Sequence, residues 1–330
     1  MPNILLFGAG GVGIAYAYVL AKGGAHITAV CRSNYTTAKA HGFTLQSQIW
    51  GTQSIHPTIV SSASDAKEYG PFDYIVVCSK AYVGISPSTA ELIAPAVGPN
   101  TAIVLCQNGI GIEEEYVSAF PGNTIVSGVV YLPVTQVSPG HVVHGELEQL
   151  EIGTFPSSST PQSEATNIAQ AQAQIDAFAA IFTAGGGSIK VYADVQERRW
   201  TKLITNAAWN PICALSQCSD AAFLRTSATA LTIVRRAMLE VVSIARAKGY
   251  TDITAETAEW QLSRAVGREK AGGEGKEPSM LTDVREGRQR FMEVEPIVGN
   301  VVRIARELGV ETATLDVVYV LIKGLSLRST

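Results

Sequence analysis

Residues 3–23 read NILLFGAGGVGIAYAYVLAKG: five residues of apolar strand character, a glycine-rich turn, then a helical run. Gly8, Gly10 and Gly13 form a GxGxxG spacing, a weak signal on its own. Between a strand and a helix it gains meaning, because the glycines let the backbone turn tightly and approach a pyrophosphate at the helix N-terminus. The run Gly8, Gly10, Gly11, Val12 and Gly13 is therefore the expected cofactor loop. A glycine turn without a ligand is the simpler alternative.

The chain continues the alternation that this start implies. HITAV (26–30), YIVVC (74–78), AIVLC (102–106) and TIVSGV (124–129) read as strands buried on both faces, with intervals long enough for crossover helices. That is the pattern of an α/β doubly wound parallel sheet. Between 134 and 153 polar and apolar residues alternate around Pro139-Gly140, predicting a hairpin at the sheet's edge. His141 and His144 fall on it, and an offset of three on a strand points to opposite faces, so no metal site is assigned.

From 164 onward the pattern turns helical. Apart from a short SIKVY, long helical stretches at 193–215, 227–248, 252–268 and 296–308 have no strands between them. With 330 residues, two domains are expected: 1–191 for the sheet and 192–330 for a second, all-α domain. GREKAGGEGKEPSM (267–280) reads as a mobile loop.

Composition excludes several partners. The net charge is −4 and no long basic run could track a phosphate backbone, so nucleic acid is not expected. Residues 1–21 carry no side-chain charge, but there is no basic leader, and GAGGVG breaks the apolar run before the roughly 18 residues a membrane span needs. Five cysteines without a CxxC pair read as free thiols in a reducing, cytoplasmic setting.

A cofactor with a free ribose 2′-hydroxyl meets an acid about 20 residues past the first glycines. No acidic residue precedes Asp65 here. Arg32 stands instead at the end of the second strand, where a guanidinium suits a 2′-phosphate, so NADPH is the cofactor implied. Lys80 in VVCSKAY and Asn108 in LCQNGIG lie just past two further strands, where open α/β sheets bind ligands, although Asn-Gly is also a common turn.

In RWTKLITNAAWNPICAL (199–215), Lys202, Asn206 and Asn210 recur every fourth residue and stack on one helical face. No histidine follows His144, so Lys202 is the candidate to orient a carbonyl and donate a proton. The asparagines, about 6 and 12 Å along the helix, could hold a polar substrate. Pro211 is expected to kink this helix. A solvated polar stripe is the plainer reading.

These motifs together resemble the ketopantoate reductases, NADPH-dependent 2-dehydropantoate 2-reductases, over nearly the whole chain. The resemblance rests on GAGGVG, Arg32, SKAY, QNGIG, WTKLITNAAWNPICAL and PSMLTDVREGR…EVEPIVGNVVRIARELGV. It implies a Rossmann-type first domain, pantothenate biosynthesis, Lys202 as general acid, and Asn108, Asn206 and Asn210 lining the substrate site. Ser279 matches a serine that helps hold the substrate carboxylate, although after Pro278 it could equally cap a helix. Glu293 matches a glutamate near the substrate hydroxyl and the lysine. GRQRFMEVE is about two residues longer than the family's usual spacing, so Glu295 competes for that place, and Asp220 stands where many members have asparagine.

The reading is an NADPH-dependent reductase of a small branched 2-keto acid, ketopantoate first, with a homodimer left open as its assembly. A sister 2-hydroxy-acid dehydrogenase acting on another branched or aryl 2-keto acid would share the machinery. A non-enzymatic NADP(H)-sensing protein would have no use for Lys202 and Glu293.

Overall fold

The computed structural model describes residues 1–157 and 165–328. They form two units: Met1–Gln107 with Ile112–Gln196, and Asn108–Gly111 with Glu197–Thr330. Residues 108–111, which the sequence reading left in the first domain, thus pack with the helices of the second unit.

The first unit carries strands β1 (Asn3–Phe7), β2 (His26–Val30), β3 (Phe43–Ser47), β4 (Gly51–Ile55), β5 (Thr58–Val60), β6 (Tyr74–Val77), β7 (Ala102–Leu105), β8 (Ile125–Tyr131), β9 (Val134–Ser138), β10 (His141–His144), β11 (Gln149–Phe155) and β12 (Ile189–Val191). Its main sheet runs β12-β11-β8-β7-β6-β1-β2-β5. All neighbours pair in parallel except β11 against β8. Strand side chains alternate between faces. Ile4, Leu6, Val76 and Val104 therefore meet Tyr16, Phe178 and Phe182 on one side, while Leu5, Ile75 and Ile103 meet Ala90, Ile93 and Tyr116 on the other. The helices are α1 (Gly11–Lys22), α2 (Tyr35–His41), α3 (Ala63–Ala66), α4 (Thr89–Ile93), α5 (Glu114–Ala119) and α6 (Ala165–Ala184). Glu164, the first residue of the predicted α6 run, lies outside the described residues.

The predicted hairpin is present as β9 and β10, but not at the edge of the main sheet. It joins β3 and β4 in a separate four-stranded sheet, β4-β3-β10-β9. Phe43, Leu45 and Val142 anchor that sheet in the core around α1. β3 and β4 escaped the sequence reading because FTLQS and GTQSI are too polar to resemble buried strands. His144 is buried and bonded through Nδ1 to Ser47 Oγ at 2.8 Å and through Nε2 to the Leu147 carbonyl at 3.0 Å.

The second unit is built from α7 (Gln196–Ser216), α8 (Asp220–Leu224), α9 (Ala230–Ala247), α10 (Ala255–Lys270), α11 (Ser279–Arg285), α12 (Asn300–Leu308) and α13 (Ala313–Ser326), with no strand among the described residues. Leu203, Ile204 and Ala207 of α7 pack in one core with Val234, Met238 and Val241 of α9, Val301 and Ala305 of α12, and Leu315 and Ile322 of α13. α7 continues through Pro211. A single π turn, Glu295–Gly299, leads into α12. Among the described residues no helix is long and apolar enough to cross a membrane.

The stretch expected to be a mobile loop is tied down instead. α10 extends to Lys270, and the connection to α11 is held by α8. Buried Asp220 accepts from Lys276 N at 2.7 Å and pairs with Arg268, Ser219 Oγ donates to the Glu274 carbonyl, and Arg225 Nη1 donates to Gly273 O at 3.2 Å. Glycine content signalled turns here, while the carboxylate that fixes them lies some 50 residues earlier in the chain.

Candidate active site

In the first unit the strand order reverses between β1 and β6, and crevices at such points receive ligands in open α/β sheets. The glycine loop follows β1. Gly8 has φ +102°, and a Cβ there would stand 2.4 Å from Ser79 N, just past β6. At Gly13 a Cβ would stand 2.1 Å from Gly8 O, so loop and helix close only on glycine. Gly10 differs, since nothing lies within 4 Å of where its Cβ would be. That open side is what a pyrophosphate requires. Ile14 N is the donor to Gly10 O, so the amides of Gly11, Val12 and Gly13 start the helix without intrahelical acceptors. The residues present therefore fit a dinucleotide.

Arg32 is exposed just past β2. Asn34, buried two residues later, donates from Nδ2 to Ala9 O at 2.7 Å and so ties this strand end to the glycine loop. Lys80 is half-buried just past β6. Cys78 lies beneath Gly13, and its hydrogen bond with Cys106 and its burial hold its thiol well above the usual range. All five cysteines are free.

In the second unit, Lys202, Asn206 and Asn210 follow the helical period of α7, flanked by Leu203 and facing away from the side that carries Ile204. Lys202 and Asn206 are half-buried, and Asn210 is buried. Lys202 Nζ donates to Asn108 Oδ1 at 2.8 Å, and Asn108 Nδ2 donates to Glu293 Oε2 at 3.4 Å. An ammonium, an amide and a carboxylate thus form a chain across three segments. Glu293 is 6% exposed. Glu295 turns elsewhere: it accepts from Tyr319 Oη at 3.2 Å and pairs with Lys323 at 2.5 Å.

Ser279 is the first residue of α11 and not its cap, a position held by Pro278. Its hydroxyl donates to Asn210 Oδ1 at 3.1 Å, and the same oxygen accepts from Met280 N at 3.2 Å. Asn210 therefore fixes the start of α11 from α7, a role the sequence reading did not foresee. Two further polar residues were missed, Arg199 and Asn300, both buried and bonded to the backbone beside Asn108. Arg199 sits three residues before Lys202 on the same helical face, which was the one available signal.

The family model described as ketopantoate reductase PanE/ApbA matches residues 4–157, and that of the ketopantoate reductase C terminal matches residues 194–326. An uncharacterized protein of Saccharomyces cerevisiae is 31% identical over 97% of this chain and 92% of its own. A 2-dehydropantoate 2-reductase of Mesorhizobium japonicum is 28% identical over 99% of this chain and 98% of its own. The crystal structure of 2-dehydropantoate 2-reductase from Methylococcus capsulatus superposes with a TM-score of 0.82 at 31% identity, covering 99% of this chain and 98% of that one.

Proposed function

Since this chain belongs to the ketopantoate reductase family of NADP-dependent oxidoreductases, we propose that it reduces a small branched 2-keto acid, 2-dehydropantoate first, to the 2-hydroxy acid. NADPH, the cofactor of the family, supplies the hydride when bound. Its pyrophosphate would rest on the Gly8–Gly13 loop, open at Gly10, with Arg32 toward the 2′-phosphate and Lys80 at the neighbouring strand end.

The observation that carries the reading is the Lys202–Asn108–Glu293 chain. Lys202 donates the proton to the ketone oxygen as the carbonyl carbon is reduced, and its charge stabilises the developing alkoxide. Asn108 aims the ammonium. Glu293, largely shielded from water, accepts the substrate's hydroxyl proton in a hydrogen bond. Ser279 and Asn206 face the carboxylate, with Asn210 holding Ser279 in place. A cofactor-binding protein without catalysis would need none of this second set. The odd number of cysteines and the lack of a CxxC pair in the sequence favour a reducing compartment.

The test is a panel of 2-keto acids assayed by the loss of NADPH absorbance. Fastest turnover with 2-dehydropantoate supports the proposal, and fastest turnover with an aryl keto acid assigns the chain to a sister 2-hydroxy-acid dehydrogenase.

A further inference from the structure

Asn108 cannot place its amide between Lys202 and Glu293 unless the backbone behind it is fixed. Residues 109 and 110 are anchored at both carbonyls, at the Ile110 amide and at the Ile110 side chain. Gly109 has φ +99°, and a Cβ there would stand 2.4 Å from Pro296 Cβ and 2.5 Å from Pro296 O. Its backbone is therefore pressed onto the π turn in a conformation only glycine takes without strain. Ile110 N donates to Pro296 O at 2.9 Å. Ile110 itself is buried in the core of the helical unit.

The two carbonyls are claimed by side chains. Arg199 Nη1 donates to Gly109 O at 2.8 Å, and Asn300 Nδ2 donates to Ile110 O at 2.7 Å. Arg199 is 3% exposed and Asn300 5%. Burying a guanidinium is costly unless it is hydrogen-bonded, so such a residue is expensive as mere packing. Here its bond falls one residue from Asn108 and its helix presents Lys202 one turn later. The donor to the loop and the proton donor thus share one rigid element.

We infer that Arg199 and Asn300 are positioning residues of the reductase: together with Pro296 they clamp the 109–110 backbone so that Asn108 holds Lys202 and Glu293 in register. Neither needs to touch substrate. The inference deepens the proposed function and rests on its assignment of Lys202 and Asn108. Small displacements of catalytic groups are expensive, with about 1 Å costing up to about a hundredfold in rate.

A double-mutant cycle on kcat tests it, with amide exchange at Ile110 as a second readout. Asn300→Ala and Arg199→Met should each lower kcat by about 10- to 100-fold, with Arg199→Lys retaining more activity than Arg199→Met because it keeps a buried donor. NADPH affinity should stay within about twofold, since neither residue belongs to the Gly8–Gly13 loop or its helix. In an Asn108→Ala background the same substitutions should cost less than about threefold, because residues acting through one partner are not additive. Exchange at Ile110 should speed up in Asn300→Ala whether or not the enzyme turns over. Equal losses with and without Asn108, or unchanged exchange at Ile110 in the folded Asn300→Ala protein, overturn the inference. Should Lys202→Ala turn over normally, the catalytic reading fails and takes the inference with it, and the failure is told apart because faster exchange at Ile110 would persist.

Discussion

Lys202 and Asn108, 94 positions apart in the chain, meet through a 2.8 Å hydrogen bond from the ammonium to the side-chain carbonyl. The bond links the polar face of α7 to the short connection after β7, and Asn108 carries it on to Glu293. If Lys202 delivers the proton, Lys202→Ala should lower kcat by about 10²–10⁴, the usual worth of general acid catalysis. NADPH affinity should survive. Single-turnover rates at saturating cofactor, with a separate NADPH titration, check both halves.

Glu293 and Glu295 separate cleanly in space. If Glu293 receives the substrate hydroxyl as proposed, Glu293→Gln should lower kcat/KM for 2-dehydropantoate by at least about tenfold, because a charge-assisted bond of roughly 1.5–3 kcal/mol is lost. Glu295→Gln removes a carboxylate that Tyr319 and Lys323 engage on α13, so it should lower Tm slightly and leave kcat/KM nearly unchanged. A larger kinetic loss at Glu295 would exchange their roles.

Arg32 is exposed at the end of β2, free of any acidic neighbour before Asp65 in sequence. Losing a charge-assisted bond to a 2′-phosphate costs about 1.5–3 kcal/mol, so Arg32→Ala should weaken NADPH binding by roughly 10- to 150-fold. NADH binding should barely move. Fluorescence titration with both cofactors gives the comparison, and parallel losses would point to a general effect on the loop.

What the sequence disclosed followed local rules. The strand, glycine turn and helix at residues 3–22 are specified by apolar run, missing Cβ atoms and helical period, all within one short window. The α7 strip was legible for the same reason. β3 and β4 were not, because their polar sequences become strands only by pairing with each other and with β10. Nor could a period reveal that Asp220 would pin the connection before α11, or that Asn108–Gly111 would leave the sheet unit for the helical one. The resemblance offered Glu293 and left Glu295 competing for its place, because spacing alone cannot say which carboxylate meets Asn108. Tyr319 and Lys323, which hold Glu295 away, lie on a helix the reading overlooked.

Glu148 supplies a pH dependence remote from catalysis. Burial pushes its carboxyl up to about 7 against an ordinary 4.5, opposed by the Ser188 amide that it accepts from. The folded protein therefore binds this proton more tightly than the unfolded chain. Stability should fall as pH rises from about 4.5 through about 7 and then level off on this account. Glu148→Gln should remove that decline. Denaturant midpoints of both proteins across the range, taken as a difference, isolate the contribution.

The measurement that bears most directly on the account is the ratio of kcat/KM for 2-dehydropantoate over 2-keto-3,3-dimethylbutyrate, which keeps the ketone, carboxylate and quaternary carbon and lacks only the terminal hydroxyl. A site built to bond a hydroxyl can reject the analogue without it by up to about 10⁴–10⁵, since a buried partner such as Glu293 is left unsatisfied. Partial solvation lowers that figure, and the account predicts a ratio of at least about a hundred. Comparable values for the two substrates, or faster turnover of an aryl keto acid, would contradict it.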